Sequence, residues 1–124
     1  MSRPIYIIVI NNTGGTITLA DFWHNHGDQP IIAGGGNNVI PNLWRRTIYS
    51  NTGTLVGPQG GFNCYVGDPK TAPTESPNFQ FKYNHPVGSG KTTVDCYPPQ
   101  GYKVERIEDH LQHHEARCTY ELKK

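Results

Sequence analysis

Residues 78–85 alternate without a break, with Phe79, Phe81 and Tyr83 on one side and Gln80, Lys82 and Asn84 on the other. Successive side chains of an extended chain point to opposite faces, so this pattern predicts a strand with one face on a core and one in water. Short apolar runs of this kind recur along the chain, and no stretch longer than about ten residues carries helical periodicity. Glycine and proline, 14 and 10 of the 124 residues, fall between the runs, where turns punctuate strands.

The runs define the expected order. Residues 4–10 are apolar on both faces, as in a central strand, and Asn12-Thr13-Gly14-Gly15 then reads as a hairpin turn. Residues 16–23 return as its partner, with Ile17, Leu19 and Trp23 on one face. A loop, Gly34-Gly35-Gly36-Asn37-Asn38, leads to Val39-Ile40-Pro41 and a strand over residues 43–50 carrying Trp44, Ile48 and Tyr49. Residues 53–61 connect, and residues 62–66 form another strand. Residues 69–77 hold three prolines and are expected to be an exposed, mobile or functional loop. Strands over 92–97, 102–107 and 116–122 complete the set, the last with Cys118, Tyr120 and Leu122 inward, and a short helical turn is expected within 108–115. About eight strands at this spacing predict one all-β domain, an antiparallel β-sandwich spanning residues 1–124.

Composition narrows the functions. Only 35% of residues are hydrophobic, but large aromatic side chains make a modest single core feasible. The net charge is +1 and no basic block is present, which argues against nucleic acid as a partner. The pairs Arg45-Arg46 and Lys123-Lys124 read as solvated strand ends. The opening run Ile5-Tyr6-Ile7-Ile8-Val9-Ile10 is too short to span a membrane and lacks a secretory cleavage pattern. The protein is therefore expected to be made in the cytosol without a signal peptide. Cys64, Cys96 and Cys118 cannot all pair within the chain; buried reduced thiols are expected, with one disulfide left open.

Six histidines raise the question of a metal. His24 and His26 lie two apart, on one side of a strand, and are weak candidates; His110, His113 and His114 form a second group. Zinc needs three or four converging ligands, so surface histidines are the expectation and no metal or cofactor is assigned. Neither GxSxG nor HExxH occurs. Gly88-Ser89-Gly90-Lys91-Thr92 ends like a phosphate-binding loop, but no glycine stands at its first position and strands flank it on both sides. No enzyme is expected. The aromatic residues near strand ends are more informative, because rings that are apolar on one side and polar on the other suit a membrane interface. Trp23, Trp44, Tyr49 and Tyr97 are the candidate membrane- or lipid-binding residues; Trp23 stands out because its strand runs into polar Asn25 and Gly27.

Four stretches in order carry a resemblance. They are an apolar first strand entering Asn11-Asn12-Thr13-Gly14 with a strand ending near Trp23, and the segment from Ile40-Pro41 to Thr47-Ile48-Tyr49-Ser50. Gly57-Pro58-Gln59-Gly60-Gly61-Phe62 leading to Asp68 follows, and then Phe81-Lys82-Tyr83-Asn84-His85-Pro86-Val87-Gly88-Ser89 ahead of Tyr102 to Glu105. In this order the chain resembles the aegerolysin family, small β-sandwich proteins of fungi and bacteria. The resemblance implies a non-enzymatic, cytolytic or insecticidal toxin component. Such a protein recognises a lipid or receptor on a target-cell membrane, acts outside the producing cell, and works with a larger pore-forming partner, as in bacterial two-part insecticidal toxins. Fungal lipid binders carry an acidic residue where this chain has Val56, and a tryptophan where it has Ile5 and Tyr6, so lipid specificity does not carry over. A carbohydrate-binding, lectin-like module and a histidine metal protein are the alternatives. The first strand leaves a homodimer open.

Overall fold

The computed structural model describes residues 2–67, 70 and 75–124. Asp68 and most of the proline-rich segment 69–77 thus lie outside the described residues. The strands are β1 (Ile5–Asn12), β2 (Ile17–His26), β3 (Ile31–Ile32), β4 (Val39–Ile40) and β5 (Arg45–Ser50). They continue with β6 (Gln59–Val66), β7 (Asn78–Asn84), β8 (Thr93–Tyr97), β9 (Lys103–His110) and β10 (Ala116–Lys123). Two five-stranded sheets result, ordered β3-β5-β1-β10-β9 and β4-β2-β6-β7-β8. The all-β sandwich expected from alternation is what forms. One pair, β1 with β10, runs parallel, and the others are antiparallel.

The core lies between the sheets and is filled by the alternating positions. Ile5, Ile7 and Val9 of β1 face Phe62, Phe79 and Phe81 of the second sheet in one sealed cluster. The Phe62 and Phe81 rings stack at 4.7 Å, and Phe81 meets the edge of Tyr120 from the first sheet at 5.6 Å. Each such side chain contributes about 1.5–3 kcal/mol by leaving water. A polar tie crosses the same core: Tyr120 Oη donates to the Val94 carbonyl, and Arg106 Nη2 donates to that carbonyl at 2.7 Å. The three cysteines are free. Burial raises all three thiols, Cys118 up to about 12, so they are weak nucleophiles packed as small apolar groups.

Three expectations give way. Asn12 to Gly15 does not close a hairpin, because β1 is already flanked by β5 and β10 and has no free edge for β2. The turn carries the chain across to the second sheet instead. Asn11, fully buried, holds it there: Nδ2 donates to Gly15 O (2.8 Å) and Ile40 O (2.7 Å), while Oδ1 accepts from Thr13 N and Oγ1. Second, residues 108–115 form no helical turn. β9 runs on to His110, and bends lead into β10. Third, Trp23 does not share a face with Ile17 and Leu19. Between Ala20 and Trp23, β2 places two residues, Asp21 and Phe22, opposite the single Phe62 of β6. This bulge shifts the alternation by one residue, turning Phe22 onto Phe62 (5.8 Å) and Trp23 outward.

The first strand is apolar on both faces for a reason visible in the sheet. It lies in the middle of the first sheet, where the Tyr6 ring packs 5.1 Å from Tyr49 and the Arg117 guanidinium lies 5.2 Å from the same Tyr6 ring.

Candidate functional site

Two loops meet at one end of the sandwich, beyond the start of β6 and the end of β7. The meeting is backbone to backbone. A Cβ on Gly57 would stand 1.8 Å from the His85 carbonyl oxygen, so only glycine fits there. The His85 amide donates to Pro58 O at 2.9 Å. The His85 side chain is itself fully buried and ties in two further segments. Its Nε2 lies 2.7 Å from His114 O, an acceptor only, so Nε2 carries the proton. In the neutral ring Nδ1 then accepts from the Thr92 hydroxyl at 2.6 Å. Burial lowers the pKa of this imidazole, with the charges of Arg3 and His114 adding to the effect and the His114 carbonyl opposing it.

On this locked base stand exposed aliphatic side chains. Leu55 and Val56 on one loop are 74% and 50% exposed, and Val87 on the other is 37% exposed. Arg3 lies beside them, its Nε donating to Pro86 O at 2.8 Å, and Lys91 is exposed on the same loop as Val87. Neither cation is ion-paired among the described residues. An apolar tip with a basic flank is the result. Sequence reasoning did not select these three residues, although the adjacent aliphatic pair inside a glycine- and proline-rich connection was a usable signal.

Trp23 occupies the outer face of the second sheet near the same end. The bulge that turns it outward places Asp21 at a φ of 55°. The Asp21 carboxylate accepts from Tyr65 Oη (2.5 Å) and Asn63 Nδ2 (2.9 Å), and these bonds, Tyr65 first, hold its pKa low. The indole lies on Gly61, where a Cβ would come within 2.7 Å of Nε1; at Gly60 a Cβ would meet the Trp23 carbonyl at 2.2 Å. The Gly-Gly-Phe run is thus a shelf shaped to Trp23.

The structure matches solved structures across 98% of this chain. IP-1A from Alcaligenes faecalis superimposes with a TM-score of 0.72 at 15% identity over 91% of its own chain. RahU protein in complex with a Tris molecule gives 0.77 at 17% over 95%, and the lipid-binding protein Nakanori gives 0.71 at 13% over 71%. The fold is aegerolysin-like. The sequence matches no protein-family model and no curated protein.

Within this fold the four aromatic candidates separate into two pairs. Trp23, Gly61, Lys82 and Asp95 form one row across the second sheet, and Asn63, Gln80 and Tyr97 form the next. Trp23 and Tyr97 therefore share an outer face, one row and three strand spacings (about 14 Å across the strands) apart, with Lys82 Nζ 5.8 Å from the Tyr97 ring. Tyr49 lies half-buried on the outer face of the first sheet, its hydroxyl accepting from Asn51 Nδ2 at 2.9 Å. Trp44 stands at the opposite end from the tip, its backbone paired with Asn11. His24 and His26 are both exposed, but a second bulge separates them, and His24 Nδ1 is taken by Gln29 Oε1 at 2.5 Å. Among the described residues no three His, Cys, Asp or Glu side chains gather as a metal site.

Proposed function

We propose that this chain is a non-enzymatic membrane-binding protein that adsorbs to a target membrane through the tip formed by Leu55, Val56 and Val87. One observation carries the reading: three aliphatic side chains stand exposed on loops whose base is locked by Gly57 and His85. Ordering a loop on binding costs entropy, and here that cost is already met in folding. Burying an aliphatic side chain fully gives about 1.5–3 kcal/mol, and a cation at an anionic surface adds about 1 kcal/mol. Arg3 and Lys91 would lie at headgroup level with the aliphatic side chains below. The shared fold with a lipid-binding protein, Nakanori, supports the same reading.

The division of labour follows the resemblance. In it the chain supplies recognition of a lipid or receptor outside the producing cell, and a larger partner makes the pore. Co-sedimentation with liposomes tests the tip. Leu55→Asp combined with Val56→Asp should weaken binding by about tenfold or more, since each 1.4 kcal/mol is a factor of ten. Undiminished binding would remove the tip from the membrane contact. Dye release from liposomes by the chain alone would contradict the need for a partner.

Carbohydrate binding is a second reading, favoured by the hydrogen-bonded Asp21, Tyr65 and Asn63 beside the Trp23 ring. Sugars stack on indoles and bond to such polar groups. Glycan-array binding in the absence of lipid, lost in Trp23→Ala, would establish it.

A further inference from the structure

Among the described residues, two non-glycine residues hold a positive φ: Asp21 at 55°, two residues before Trp23, and Leu43 at 71°, immediately before Trp44. Asp tolerates this region by local hydrogen bonding, whereas a bulky apolar residue rarely enters it. Leu43 is also 73% exposed, so burial of its side chain does not offset the strain. What holds it is the backbone: Leu43 N donates to Asn11 O (2.7 Å), Asn11 N to Trp44 O (2.9 Å) and Trp44 N to Pro41 O (3.0 Å). Strain of this kind collects at ligand sites. Here it projects Trp44, 64% exposed, over an open cleft of about 350 Å³ lined by Asn37, Val39, Pro41, Trp44 and Arg46.

Arg46 gives the cleft its chemistry. Its Nη1 donates to Asn37 O (3.0 Å) and Val39 O (3.2 Å), and Nη2 donates to Gly35 O (2.5 Å). A guanidinium has five N–H donors in a fixed fork, so two remain for a ligand. The positive φ of Gly34, Gly35 and Gly36 shapes the loop that brings the Gly35 and Asn37 carbonyls to Arg46. Among the described residues no carboxylate lines the cleft, and neither Arg46 nor Arg45 is ion-paired. A fixed, uncompensated guanidinium beside an indole and two apolar side chains suits an oxyanion on an apolar body.

We propose that this cleft binds a small organic anion, a carboxylate or phosphate carried on an aromatic or apolar group. Its size falls in the range of small-molecule pockets. The cleft adjoins the far end of β1, about 25 Å from the tip at 3.3 Å per residue, so its occupancy is independent of the membrane reading.

Titration calorimetry with phenyl phosphate, benzoate and inorganic phosphate, followed by NMR of the Trp44 indole N–H, tests the proposal. Saturable binding of phenyl phosphate or benzoate at least tenfold tighter than inorganic phosphate, weakened tenfold in Trp44→Ala, supports it. Arg46→Gln should abolish binding; should that change disturb the glycine loop, the exposed Trp44→Ala carries the test. Vesicles of phosphatidylcholine with and without phosphatidylglycerol distinguish the source of the anion. If only the phosphatidylglycerol vesicles bind, with loss in Trp44→Ala but not in Leu55→Asp/Val56→Asp, the anion is a lipid headgroup and the cleft stands. No binding of any probe, equal affinity for inorganic phosphate, or unchanged binding in Trp44→Ala overturns the proposal.

Discussion

The two ends of the sandwich expose apolar side chains in different ways. At the tip, Leu55, Val56 and Val87 stand exposed on two loops that meet end to end, which suits a surface. At the other end, Trp44 and Arg46 wall an open cleft, which suits a molecule. Each end is held by one fully buried polar side chain, His85 at the tip and Asn11 behind Trp44. Rigidity in a loop therefore does not tell which kind of partner it meets. The shape of what it holds out does.

The largest expected effect comes from forcing the tip apart. Gly57→Ala places a methyl group 1.8 Å from the His85 carbonyl oxygen, a collision of a Cβ with backbone that no rotamer relieves. Chemical denaturation should show a loss of about 3 kcal/mol, the upper range for overpacking. Liposome binding should fall with it, while the cleft, at the far end of β1, should keep its ligand affinity. Loss of both together would mean that the ends are coupled and the comparison false.

Acid should loosen the same end by less. Folding lowers the pKa of His85, so the folded state favours the neutral ring. That preference stabilises the fold in full above the unfolded value of about 6.5, and it is lost as pH falls through the lower folded value. Arg3 and His114 face the ring, and their charges oppose protonation further. Hydrogen exchange below pH 6.5 should speed up first around Thr92 and His114 and leave Asn11 and Trp44 protected. His85→Gln should make stability less dependent on pH in this window; an unchanged slope would exclude His85 as its source.

Much of the fold could be read from the chain, for identifiable reasons. β7 was readable because Phe79, Phe81 and Tyr83 alternate with polar residues and pair on both edges in register. The crossing after Asn12 was not, since the same Asn-Gly chemistry serves a hairpin and a passage between sheets. Which one forms depends on whether β1 has a free edge, and distant β5 and β10 decide that. The site was partly readable. Both tryptophans proved to be exposed, but the bulge that aims Trp23 and the strained Leu43 that aims Trp44 leave no pattern in the sequence. The motifs behind the family resemblance gained a physical basis: Gly57 and Gly60 are the places where the His85 and Trp23 carbonyls approach too closely for any side chain.

The smallest effect concerns how far the tip extends. Trp23 is 36% exposed and lies on Gly61, on the outer face of the second sheet rather than on the loops that carry Leu55 and Val87. Replacing it by Phe keeps an apolar ring but removes the indole N–H and part of the covering of Gly61. Stability should drop by no more than about 1 kcal/mol, as is usual for partly exposed positions. Liposome binding then separates two cases. A several-fold loss without change in the Leu55→Asp/Val56→Asp background would mean that the indole enters the membrane only when the tip does. An equal loss in both backgrounds would make Trp23 a separate contact, and with Asp21, Tyr65 and Asn63 beside it that contact would be polar recognition rather than insertion.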